Sequence, residues 1–80
     1  MGHTVPVGDT ERVTDVEIGP EGIRLGQFLK YAGAVDSGGE AKTVLEAGAV
    51  EVNGRVETRR GAQLAPGDVV VLAGRSWRVV

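Results

Sequence analysis

The stretch LGQFLKYAGAVDSGGEAKTVLEAGAVEVNGRVETRRG, residues 25–61, decides the fold. Leu25, Phe28, Leu29 and Ala32 recur at the spacing of one helix face, with Gln27, Lys30 and Tyr31 turned elsewhere. Gly33 supplies a left-handed stop. A helix of roughly two turns does not hold in water alone, so its apolar stripe must dock. Ser37 followed three residues later by Glu40 is a capping-box arrangement. It opens a second helix with Ala41, Val44 and Leu45 as its apolar face and Gly48 as its stop.

Asn53-Gly54 then marks a tight turn. A two-residue loop would set Glu51 opposite Val56 and mix the faces. A three-residue loop, Val52-Asn53-Gly54, pairs Val50 with Val56 and Glu51 with Arg55, and this register is the expected one. The hairpin ends in the loop Thr58-Arg59-Arg60-Gly61.

Outward from this stretch, Thr14 to Ile18 alternates polar and apolar as a half-buried strand does, and Gly19-Pro20-Glu21-Gly22 turns it. Residues 1–12 lack periodicity and read as a flexible tail, with His3 solvated inside it. On the other side, Gln63 to Asp68 turns by Pro-Gly chemistry. Val69–Leu72 and Ser76–Val80 are expected strands joined at Gly74-Arg75, with Leu72 facing Trp77 and Val70 facing Val79. The fold class is therefore α+β: two short helices on one face of a small, mostly antiparallel sheet, forming one domain over residues 13–80.

Eighty residues with 41% hydrophobic and 4% aromatic content leave little core to spare, so Phe28 and Trp77 must carry much of the burial. With no cysteine, disulfides and thiolate chemistry are excluded. No apolar run is long enough to span a bilayer, and a cytoplasmic location is expected. The net charge of −2 is divided unevenly. Residues 1–22 hold five carboxylates against Arg12, whereas residues 23–80 hold eight basic side chains against six acidic ones. That asymmetry places any anion-binding surface in the second part of the chain.

The lone histidine lies in the tail, so no nucleophile–base pair, metal-ligand spacing or cofactor motif is present and intrinsic catalysis is not expected. Two features point to anion binding instead. Gly38 and Gly39 open the second helix, where free N–H groups attract a phosphate. Ordinary capping by Ser37 and Glu40 explains the same residues equally well. Arg24, Lys30, Lys42, Arg55, Arg59 and Arg60 form the second feature, set against the plainer reading of scattered solubilising charge, partly neutralised by Glu51 and Glu57. Adjacent arginines at 59 and 60 repel unless something anionic answers them.

In this order and spacing, Arg24-Leu25, Phe28-Leu29, Ser37, Ala41-Lys42, Leu45, Gly48-Ala49-Val50, Val52-Asn53-Gly54 and Pro66-Gly67-Asp68 resemble the RNA-binding domain named after ribosomal protein S-four. Gly26 to Lys30, Ser37-Gly38-Gly39 and Thr58 to Gly61 resemble its small, free-standing, ribosome-associated bacterial members. The resemblance implies the αL RNA-binding motif and a non-catalytic module that binds structured RNA, ribosomal RNA above all. By motif position it assigns contacts to Arg24, Ser37, Lys42, Asn53, Gly54, Arg55, Arg59 and Arg60; Lys30, Gly38 and Gly39 complete the expected site. Many members carry arginine directly after the serine, where this chain has Gly38, leaving backbone N–H groups to substitute. Two rival expectations remain. One is a protein-interaction module using the acidic strand Asp15–Glu17 and the sheet edge, with a ribosomal protein as partner. The other is an RNA-targeting accessory to a separate RNA-modifying enzyme.

Overall fold

The computed structural model describes residues 13–80, and the expectations for residues 1–12 and His3 lie outside them. The periodicities become β1 (Thr14–Val16), β2 (Ile23–Arg24), α1 (Leu25–Tyr31), α2 (Gly38–Glu46), β3 (Val50–Val52), β4 (Arg55–Val56), β5 (Gln63–Leu64), β6 (Val69–Leu72) and β7 (Arg75–Val79). Five strands form one sheet in the order β1-β7-β6-β3-β4, antiparallel except for the parallel β1–β7 pair. Ile23 and Arg24 pair with Leu64 and Gln63 in a separate two-stranded ribbon. By local pattern those two segments are only a lead-in and a turn. Their pairing is long-range and leaves no local signal.

Alternation along β6 and β7 turns Val70, Leu72, Trp77 and Val79 to one face of the sheet. Val50 from β3 joins them, and the helices cover this face with Leu25, Phe28 and Leu29 from α1 and Ala41 and Leu45 from α2. Phe28 is fully buried and Trp77 is 3% exposed, as composition demanded. Each such side chain contributes about 1.5–3 kcal/mol by leaving water. In a chain this short the loss of any one is costly.

Both helix stops form as read, with Gly33 at φ 77° and Gly48 at φ 72°. Ser37 Oγ accepts from the Glu40 N–H at 3.1 Å, and Glu40 Oε1 accepts from the Asp36 N–H at 2.8 Å. The reciprocal cap therefore closes one residue earlier than the usual box.

Both hairpin registers differ from expectation. Glu51 pairs with Val56 and Val52 with Arg55, so Asn53-Gly54 is a two-residue loop. Both turn residues have positive φ, 53° and 84°, as the twist-matched hairpin turn requires. A three-residue loop would keep Val56 opposite Val50. However, β4 is a two-residue edge strand and Val56 is 59% exposed, so no burial enforces that pairing. The Asn53 side chain also fixes the turn, since Oδ1 accepts from the Val69 N–H at 2.9 Å and Nδ2 donates to Asp68 Oδ1 at 3.1 Å.

In the second hairpin Leu72 pairs with Arg75 and Val70 with Trp77, a shift of two residues from the expected register. A shift of two preserves which side chains face the core, so the apolar face is unchanged. The turn is Ala73-Gly74, with Ala73 at φ 55°. Alanine is a poor left-handed residue, which is why the sequence pointed one step too far along. Ala73→Asn, which recreates the preferred Asn-Gly turn, is expected to raise unfolding stability by roughly 0.5–1 kcal/mol in urea denaturation.

Candidate nucleic-acid interface

Helix α1 begins without a side-chain cap, because its N-cap residue is Arg24. Its first N–H groups end instead on the loop after β4: Leu25 N–H donates to Ala62 O at 2.8 Å and Gly26 N–H to Arg60 O at 3.0 Å. The Arg24 guanidinium donates to Gly61 O at 2.8 Å and closes the contact. A side chain at Gly26 would place its Cβ 3.3 Å from Arg60 Cβ, so a glycine there lets the loop lie against the helix. The β2–β5 ribbon continues from both partners and holds the same two segments together.

This junction forms one wall of an open groove of about 820 Å³ between α1, the start of α2 and residues 60–61. Arg24, Lys30 and Arg60 line it together with Gln27, Tyr31, Gly38 and the half-buried, apolar Ile23. Among the described residues, no carboxylate lines it. Glu40, which would oppose an anion at the start of α2, is turned back onto the Asp36 N–H. A Cβ at Gly38 would meet nothing within 4 Å, so internal packing does not demand glycine there.

Four of the sequence-derived site residues, Arg24, Lys30, Gly38 and Arg60, are thus brought together. Ser37 and Gly39 stand beside them at the start of α2, with Ser37 occupied in the cap. Lys42 is exposed on α2 and Arg55 on β4, outside the groove lining. Asn53 and Gly54 form the hairpin tip, where the Asn53 amide is committed to Asp68 and Val69. Sequence reasoning missed Gly26, Gln27, Tyr31 and Gly61. Gln27 and Tyr31 were legible as an i, i+4 pair on the side of α1 away from its apolar stripe.

Arg59 and Arg60 part company. Arg59 Nε and Nη2 bond Glu57 Oε2 and Oε1 at 3.0 and 3.2 Å, a two-pronged pair. Glu57 Oε2 also accepts the backbone N–H groups of Thr58 and Arg59. Hydrogen bonding from the Arg59 side chain, then from its backbone N–H, lowers the Glu57 pKa from 4.5 to about 2. Repulsion between the adjacent arginines is thereby answered within the chain for Arg59, and Arg60 is left to the groove.

Residues 16–80 match the S4 domain family, and the chain belongs to it. More particularly, it is 48% identical over 66 residues to the probable ribosome maturation protein RlbA of Bacillus subtilis, a match covering 81% of this chain and 93% of that one. It is 40% identical over 58 residues to the putative RNA-binding protein YbcJ of Escherichia coli, covering 72% and 83% of the two chains. The solution structure of YbcJ, described as an αL motif involved in RNA binding, superposes with a TM-score of 0.68 at 32% identity, over 100% of this chain and 96% of that one. The 30S ribosomal protein S4e of Thermoplasma acidophilum superposes with a TM-score of 0.55 at 30% identity, over 70% of this chain and 28% of that one. The αL fold expected from the resemblance is therefore the fold of this chain.

The Glu57 latch has a pH signature. Its carboxyl has a lower pKa folded than unfolded, so its stabilising contribution is complete above about pH 4.5 and is lost as pH falls toward 2. Denaturant titrations across that window should show a smaller loss of stability for Glu57→Gln than for the unaltered chain.

Proposed function

We propose that this chain binds structured RNA, ribosomal RNA in particular, in the cytoplasm and without catalysing a reaction on it. The observation that carries this reading is the groove itself: Arg24 and Lys30 from the N-cap and last turn of α1 meet Arg60 from the loop after β4, with no carboxylate among the described lining residues. Neutralising phosphates in this way supplies affinity without base specificity. Structured RNA suits such a surface because its helices are recognised mainly through backbone and shape. The relatives named for RNA binding and ribosome maturation support the same direction.

The overall charge of −2 does not oppose this reading, since the acidic surplus lies in residues 1–22 and one of its carboxylates is already neutralised. Asp15 Oδ1 meets Arg78 Nη2 at 2.9 Å. That pair also weakens the rival reading of β1 as an acidic docking strand, although β1 does lie at the edge of the sheet. Lys42, Arg55 and the exposed face of Arg59 extend the surface as secondary phosphate contacts.

Filter binding to ribosomal RNA fragments at several salt concentrations tests the proposal. Each duplex phosphate contact adds about −0.9 to the slope of log affinity against log salt. Lys30→Glu combined with Arg60→Glu should weaken binding by about a hundredfold or more and flatten that slope by about two contacts, with an unchanged melting temperature. Arg59→Ala should weaken binding far less, because Glu57 already holds that guanidinium. Unchanged RNA affinity in the double variant would remove the groove from the site. A flat salt dependence would favour a protein partner.

A further inference from the structure

Tyr31 stands apart from the other aromatic side chains of the described residues. Phe28 and Trp77 are core, whereas Tyr31 is 65% exposed and borders the cationic groove. Its hydroxyl donates to the Glu17 backbone carbonyl at 3.3 Å, which fixes the outer end of the ring without covering it. Gln27 lies one helical turn earlier on the same wall and carries two amide donors and an acceptor. Half-buried Ile23 supplies apolar surface to the same lining.

This combination exceeds what phosphate neutralisation needs. The backbone of a continuous duplex requires a positive surface, but no aromatic face. An unpaired nucleotide turned out of its stack requires all three: a ring to stack on, a polar group to meet its base edge, and cations for its flanking phosphates. The groove volume of about 820 Å³ is ample for one nucleotide. We infer that the groove is the seat of a single unpaired nucleotide of a bulge or loop. Its base lies against Tyr31, its edge meets the Gln27 amide, and its phosphates lie at Lys30 and Arg60. This rests on the RNA-binding reading above and narrows its ligand from structured RNA to structured RNA that presents an extruded base.

Two RNA hairpins with the same stem test it, one fully paired and one carrying a single-nucleotide adenine bulge, each titrated by fluorescence anisotropy. The unaltered chain should prefer the bulged hairpin by at least about fivefold. Tyr31→Ala should lose about five- to a hundredfold in affinity for the bulged hairpin and little for the paired one, the range expected for one base–aromatic stack. Tyr31→Phe keeps the ring and should keep the preference, which separates stacking from the hydroxyl's contact with Glu17. Equal binding of both hairpins, still lost in the Lys30→Glu, Arg60→Glu double variant, would overturn the nucleotide seat and leave RNA binding intact. Equal weakening of both hairpins by Tyr31→Ala would reduce Tyr31 to a structural part and likewise overturn it. Failure to bind the hairpins and ribosomal RNA alike would overturn both readings together.

Discussion

The N-terminus of helix α1 is capped by the backbone of a loop some 35 residues further along the chain, and the site depends on that contact. A seven-residue helix has too few internal hydrogen bonds to persist alone, and its N-cap arginine offers no acceptor. The carbonyls of Arg60 and Ala62 supply what is missing. The same bonds fix the loop that carries Arg60, so helix stability and placement of the cation are one event. Gly26 permits the approach, and the Arg24 guanidinium ties down Gly61.

From that junction the electrostatics follow. Two exposed arginines are paired with carboxylates of the chain, Arg59 with Glu57 and Arg78 with Asp15. A third, Arg75, lies over the Trp77 ring at 4.8 Å. Among the described carboxylates, none forms an ion pair with Arg24, Lys30 or Arg60. A chain with a net negative charge can therefore present a local positive groove, because what an approaching phosphate meets is the unpaired charge within about a Debye length. Total charge is a poor guide to a surface this small.

The two hairpins show how physical constraint and sequence signal can disagree without altering the outcome. In each, turn chemistry decided the loop: two consecutive residues at positive φ. Cross-strand pairing was the weaker guide, because β4 buries nothing that would penalise a mismatch. The β6–β7 register moved by two, and since strand side chains alternate with period two, the core kept the same members.

From residues alone, the helix faces, both glycine stops, the Ser37–Glu40 cap, the burial of Phe28 and Trp77, and the likeness to the S4 domain were all legible. These signals act over a few neighbours: helical spacing, a hydroxyl three residues from its donor, a glycine where φ must be positive. Only the tertiary structure decided which cations share a surface, because residues 24, 30, 38 and 60 meet through strand pairing and a backbone cap that no local pattern encodes. It also separated Arg59 from Arg60, which look equivalent in the sequence: Glu57 holds Arg59, whereas none of the described carboxylates pairs with Arg60.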